Sequence, residues 1–223
     1  MIMKEKSLNN MYKAVLFDLD GTILNTLDDL FYSTNYALEK YNLKKRTYEE
    51  IRCFVGNGVK VLIEKAVGEN HQHLVDNVIL EFKNHYKEHS LDHIKEYDGI
   101  KEVLIELKRK GLKLAVVTNK FNQAAQDIIN KYFNGIFDIV LGETKELNRK
   151  PHPDMCNYVL KELGINPSEA LYVGDSDVDI LTAKNAGLKC ISCSWGFKTK
   201  DELISFEANI IIDIPTELLG YLN

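Results

Sequence analysis

Asp18 and Asp20 stand two residues apart in KAVLFDLDGTILNT, directly after an apolar run and directly before Gly21 and Thr22. Asp175, Asp177 and Asp179 crowd the stretch GDSDVD, Thr118 and Asn119 follow the apolar run in LAVVTNK, and Lys150 opens KPHPD. Taken singly, each has an ordinary structural explanation: a turn closing a strand, a helix cap, a solvated loop charge. Together they form a set that handles phosphate. Carboxylates a few ångströms apart repel by about 4 kcal/mol per pair at an effective dielectric of 20, so the cluster calls for a cation. An all-oxygen site with few protein ligands suits Mg2+, which keeps several waters and completes its shell from carboxylates and a substrate phosphate. One carboxylate can then attack phosphorus and form an aspartyl phosphate, while a second protonates the leaving oxygen and later activates water. The hydroxyl, backbone N–H groups and the lysine neutralise the phosphoryl oxygens in the transition state.

These groups work together only if the fold brings them to one edge. Ala14 to Phe17 reads as a strand buried on both faces. From about Thr26 to about Lys95, helical patterns recur (DDLFYSTNYALEKY, VKVLIEKAV, HLVDNVILEFKNHYKEH) with no convincing strand among them. After Tyr97 helix and strand alternate: helix Ile100 to Arg109, strand Leu112 to Val117, helix Gln123 to Lys131, strand Asp138 to Leu141, helix Asp154 to Leu163, strand Ala170 to Val173, helix Val178 to Ala186, strand Lys189 to Ser192, and a last strand at Asn209 to Ile212. The expected fold class is α/β, a doubly wound Rossmann-like parallel sheet with an inserted small all-helical unit. Residues 12–25 and 96–223 form the core and 26–95 the insertion. Open α/β sheets bind ligands beyond the carboxyl ends of their strands, where Asp18, Asp20, Thr118, Asn119, Lys150 and the GDSDVD aspartates all fall.

The bulk properties remove other classes. The chain has 223 residues, 45% hydrophobic and 27% charged, enough for one large domain with an insertion. A net charge of -5, with the basic residues scattered, argues against nucleic acid as a partner. No stretch approaches the roughly 18 apolar residues of a membrane span, and MIMKEKSLNNMYK lacks the apolar core of a secretory signal, so a cytoplasmic protein, a monomer or homodimer, is expected. The four cysteines read as reduced thiols. Cys190 and Cys193 have C-x-x-C spacing, but on a strand their side chains point to opposite faces. His85, His89 and His93 are spaced to share one side of a helix and read as solvated surface, the outer two about 12 Å apart along its axis.

DLDGT at 18–22, VVTNK at 116–120, KPHPD at 150–154 and GDSDVD at 174–179 resemble, in order, the four motifs of the haloacid dehalogenase superfamily. The resemblance implies Asp18 as nucleophile and Asp20 as general acid and base, with Mg2+ held by Asp18, the Asp20 carbonyl, Asp175 and, directly, through a water or only as an anchor, Asp179. It implies phosphoryl contacts from Thr118, the N–H of Asn119 and Lys150, and substrate contacts from Gly21, which also gives the loop room to turn, and Thr22, which also orders it. An aspartate at position 20 implies a phosphatase or phosphomutase rather than a dehalogenase or a P-type ATPase. The insertion is similar to the helical cap of the family's first subclass, which closes over the site and sets specificity. VGNGV within it resembles the cap loop of phosphoglycolate phosphatases, as does SWGF at 194–197, whereas the Arg-Ser type signature of β-phosphoglucomutase relatives is not found. Gly56 and Gly58 would let the backbone approach an anionic substrate, and Arg52 or Lys60 would meet its carboxylate. Asn25 departs from the aspartate that many relatives carry. The expected activity is Mg2+-dependent hydrolysis of a small phosphorylated metabolite such as 2-phosphoglycolate. The alternatives are a phosphomutase, a nucleotide or sugar-phosphate phosphatase, and an idle regulatory protein, which would have lost one of the key residues.

Overall fold

The computed structural model describes residues 12–222; the stretch before Tyr12, read above as a tail without a signal core, lies outside them. β1 (Ala14–Phe17) leads to a two-residue β2 (Leu24–Asn25), followed by the helices α1 (Leu27–Lys40), α2 (Tyr48–Phe54), α3 (Gly58–Val67) and α4 (Val75–His89) and then β3 (Lys95–Glu96). The chain continues through α5 (Ile100–Arg109), β4 (Lys113–Phe121), α6 (Asn122–Tyr132), β5 (Ile139–Glu143), α7 (Asp154–Leu163), β6 (Ala170–Gly174), α8 (Asp177–Asn185), β7 (Lys189–Cys193), α9 (Lys200–Ser205) and β8 (Ile211–Ile212). Six strands form one parallel sheet in the order β5-β4-β1-β6-β7-β8, with β1 central between β4 and β6.

Every residue of β1 is buried. Because successive side chains alternate, Val15 and Phe17 enter the apolar cluster on one face of the sheet with Leu104 and Val116, while Ala14 and Leu16 enter the cluster on the other with Val159 and Tyr172. Helices thus cover both faces, and replacing Phe17 with alanine would cost about 3–5 kcal/mol. β7 follows the same alternation: Cys193 belongs to the first cluster and Cys190 packs against the second, so these thiols face apart as expected.

The helices between β2 and β3 close a third cluster of their own, in which Leu38, Ile51, Ile63 and Phe82 are buried. α2 starts where Thr47 Oγ1 accepts from the Glu50 N–H (3.2 Å) and Glu50 Oε2 from the Thr47 N–H (2.7 Å), a reciprocal cap worth about 1 kcal/mol. One side chain of the sheet unit, Phe197, inserts into this helical cluster. The two crossings between the units run side by side as an antiparallel ribbon, Leu24 opposite Glu96 and Asn25 opposite Lys95. Sequence periodicity does not show this ribbon, since two residues carry no period.

Two further differences matter. β4 runs on to Phe121, and its pairing with β5 shifts between Val117 and Phe121, so Thr118, Asn119 and Lys120 lie on an irregular strand end rather than beyond it. α4 stops at His89, so His93 is not on the helix with His85 and His89. Its Nδ1 instead sits 2.8 Å from the buried Asp29 carboxylate, while the His85 and His89 rings stack at 4.3 Å. Among the described residues no helix is long and apolar enough to cross a membrane.

Candidate active site

Asp18 sits where β1 ends, its own N–H still donating to the Val173 carbonyl of β6. Its Oδ1 accepts from the Leu19 N–H (2.7 Å) and from Lys150 Nζ (2.9 Å), which leaves Oδ2 without a protein donor. Asp18 lines a cavity of about 60 Å³ between the sheet edge and the helical unit.

Lys150 is 2% exposed and uses all three N–H bonds: Asp18 Oδ1 (2.9 Å), Asp179 Oδ1 (2.8 Å) and Tyr172 Oη (2.9 Å). Burial pulls its pKa down, but the Asp179 and Asp18 charges outweigh that and raise it, so it stays an ammonium. Asp179 is saturated. Besides Lys150 and Tyr172, its Oδ2 accepts from the N–H groups of Asp175 (3.2 Å) and Ser176 (3.1 Å) and from Ser176 Oγ (2.6 Å). The residue placed above among the metal ligands therefore anchors Lys150 and starts α8, with no lone pair free for direct ligation of a metal in this arrangement.

Asp175 Oδ2 accepts from the Phe197 N–H (2.6 Å) and Oδ1 from Thr22 Oγ1 (3.3 Å). Gly21 passes so close, with φ +87°, that a Cβ there would overlap the Asp175 carboxylate. Neither Gly21 nor Thr22 lines the cavity, so these two residues, assigned above to substrate contact, shape the loop and hold Asp175. Asp18, Asp175 and Asp179 each offer an oxygen within 4.8 Å of the others. Burial pushes the Asp18 carboxyl up to about 7 against the pull of Lys150, and burial with the Asp179 and Asp18 charges holds Asp175 well above the usual carboxylate range. Three buried carboxylates with one ammonium are under-neutralised, and the oxygens of Asp18 and Asp175 that keep lone pairs are hard donors, an arrangement that fits a divalent cation.

Asp20 is held apart from this cluster. Its Oδ1 accepts from Thr26 Oγ1 (2.6 Å) and from Lys120 Nζ (2.9 Å), and Lys120 in turn donates to Tyr86 Oη (2.6 Å) of α4. Lys120, Tyr172 and Tyr86 all escaped the sequence reading. A charge inside the apolar-flanked VVTNK was a usable signal for Lys120; Tyr172 and Tyr86 occupy positions with ordinary core periodicity and offered none.

Thr118 is buried on the cavity wall, its Oγ1 accepting from the Lys120 N–H at 3.2 Å. The Asn119 side chain is a clasp: Nδ2 donates to the carbonyls of Gly56 (3.2 Å) and Lys150 (3.0 Å), and Oδ1 accepts from the Lys150 N–H (2.9 Å). Gly56 and Gly58 reach the cavity as expected. Gly58, at φ +78°, sits against the sheet unit so tightly that a Cβ would come 3.1 Å from Arg149 Nη1. Arg52 and Lys60 do not reach the cavity. Arg52 is tied to Glu49 (2.7 Å), Glu202 (3.1 Å) and the Phe197 carbonyl, and Lys60 is exposed beside Glu64 (3.9 Å). Arg52 reaches across to α9, a helix absent from the sequence reading, and its charge is spent there. Asn25 Oδ1 accepts from the Leu27 N–H (3.1 Å) at the start of α1, and Trp195 Nε1 donates to the Thr22 carbonyl (3.1 Å).

Comparison with known proteins gives the family. Residues 15–193 match the family model of haloacid dehalogenase-like hydrolases. A protein from Haemophilus influenzae named phosphoglycolate phosphatase is 33% identical over 96% of this chain and 100% of its own length, and one of the same name from Aquifex aeolicus is 34% identical over 83% and 86%. The crystal structure of a candidate phosphoglycolate phosphatase from Lactobacillus delbrueckii superposes with a TM-score of 0.90 at 35% identity, covering 95% of this chain and 98% of that one. The chain belongs to the haloacid dehalogenase-like hydrolases and is a phosphatase among them.

Proposed function

We propose that this phosphatase hydrolyses a small phosphorylated carboxylic acid, 2-phosphoglycolate or a close analogue, through a phosphoaspartate on Asp18, with Mg2+ as cofactor. The observation that carries the reading is Asp18 itself: one oxygen clamped by Lys150 and a backbone N–H, the other without a donor among the described residues, at the wall of the cavity between the sheet edge and the helical unit. The relatives' shared name points the same way, and no observation favours the phosphomutase or nucleotide alternatives.

Asp18 Oδ2 attacks phosphorus as the ester P–O bond breaks, and Asp20 delivers its proton to the departing oxygen. Asp20 then takes a proton from water, which attacks phosphorus, frees phosphate and restores Asp18. Thr118 and the Asn119 N–H are the donors for the phosphoryl oxygens, while Lys150, its three N–H bonds engaged and its side chain off the cavity wall, holds Asp18 in place and supplies positive charge behind it. Asp18 and Asp175 would hold Mg2+, with the Asp20 carbonyl as the third protein ligand, and the ion supplies charge neutralisation at the phosphoryl group. Residues 26–95 act as the cap that excludes water. Four unpaired thiols support a cytoplasmic location.

A panel of phosphate esters assayed with Mg2+ and with a chelator tests the reading. 2-Phosphoglycolate should exceed nucleoside monophosphates and hexose phosphates in kcat/KM by about tenfold or more, and Asp18→Asn should abolish both turnover and phosphoenzyme. A larger ester turned over faster, or substantial activity in Asp18→Asn, would overturn it.

A further inference from the structure

One charged group on the cavity wall has no part in the chemistry above. Lys198 follows β7 in the stretch SWGFK, is only 9% exposed, and lines the same cavity as Asp18 and Asp20. Among the described residues it has no hydrogen-bond or ion-pair partner. The other two lysines of the site are compensated, Lys150 by Asp18 and Asp179 and Lys120 by Asp20. An ammonium that opens onto a ligand cavity, on a side chain otherwise packed away and with no protein counter-charge, is suited to an incoming anion.

Its backbone is fixed at the seam between the two units. The preceding residue, Phe197, donates its N–H to Asp175 Oδ2 (2.6 Å), offers its carbonyl to Arg52, and buries its ring in the helical cluster. Lys198 therefore has a short, rigid tether to the phosphate end of the site. Facing it, the helical unit presents Leu30, Val59 and Leu62, which offer a substrate no charge.

We propose that Lys198 is a specificity residue whose ammonium receives the second anionic group of the substrate, the carboxylate of a short phosphorylated acid, while the phosphoryl group lies at Asp18. The assignment rests on the substrate class proposed above and names the residue that reads it, in place of Arg52 and Lys60. With the phosphoryl end held at Asp18, a carboxylate at the other end meets a charge that a neutral tail would leave unpaired.

The test compares 2-phosphoglycolate with ethyl phosphate, of the same chain length but without the carboxylate, in the Mg2+-loaded enzyme. Wild-type enzyme should prefer 2-phosphoglycolate. Lys198→Met, which keeps the stem and removes the charge, should raise KM for 2-phosphoglycolate by about ten- to a hundredfold. It should leave ethyl phosphate within about twofold, and Lys198→Arg should recover most of the loss. Lys198→Gln serves as the neutral variant if Lys198→Met does not fold. An equal loss on both substrates, or a preference that survives removal of the charge, overturns the assignment. A wild-type enzyme that shows no preference for 2-phosphoglycolate fails one step earlier, overturning the substrate reading and this assignment with it.

Discussion

Lys120 Nζ donates to Asp20 Oδ1 across 2.9 Å, so the carboxylate proposed above to transfer protons is held by a cation from the neighbouring strand β4. The same ammonium reaches Tyr86 Oη at 2.6 Å, a residue of the helical unit. Placement of Asp20 is thereby joined to placement of the helical unit.

Removing that cation should damage proton transfer more than binding. In Lys120→Met, Asp20 keeps Thr26 but loses its fixed orientation and its counter-charge. A fall in kcat of about ten- to a hundredfold is expected, with a shifted limb in the pH–rate profile. Tyr86→Phe, which removes only one hydroxyl from the chain, should cost about tenfold or less. Unchanged kcat in Lys120→Met would show that Thr26 alone suffices.

Asn119 joins the Gly56 loop to the backbone of Lys150. Asn119→Ala leaves three backbone groups without this partner, so a loss of about 1–3 kcal/mol in stability is expected, readable in denaturant melts. Activity should fall with it, since Lys150 is the group that clamps Asp18. Asn119→Asp should behave differently, keeping the acceptor for the Lys150 N–H and losing both donated bonds.

The carboxylate cluster sets a pH dependence of stability. Burial raises the Asp18 carboxyl to about 7, so between the ordinary carboxylate range and pH 7 the folded chain binds a proton that the unfolded chain has released. Stability of metal-free protein should therefore fall as pH rises through this window, by up to about 1.4 kcal/mol per pH unit for one such proton. Mg2+ should reverse the trend, raising the melting temperature more at pH 7.5 than at pH 5. Asp175→Asn, which relieves part of the crowding, should flatten the metal-free profile; a metal-free protein that gains stability across the window would contradict the assignment.

Arg52 spans from α2 to Glu202 and the Phe197 carbonyl. With its charge occupied, Arg52→Gln should leave the preference for 2-phosphoglycolate over ethyl phosphate unchanged. A loss of about 1 kcal/mol or less in stability is expected from a half-exposed bridge. Collapse of the preference would return the carboxylate contact to Arg52.

Much of the candidate site's layout was legible in the chain. Asp18, Asp20, Thr118, Lys150 and Asp175 lie in short motifs directly after buried strands, and in a parallel α/β sheet strand ends converge, so local pattern was enough to gather them. The helical insertion was legible for the same reason, from apolar periodicity between two strands of one sheet. What the chain alone could not show is which lone pairs are already spent. Asp179 reads as a ligand until Ser176, Tyr172 and Lys150 are seen to saturate it, and Arg52 reads as an anion receptor until α9 supplies Glu202. Conversely, Lys198 looks like any loop lysine in SWGFK and becomes distinctive only when folding packs its stem and turns it onto the cavity wall with no partner among the described residues. Local sequence determines where a charged group lies along its own element; whether that charge is neutralised depends on residues far away in the chain, and only the tertiary structure brings those together.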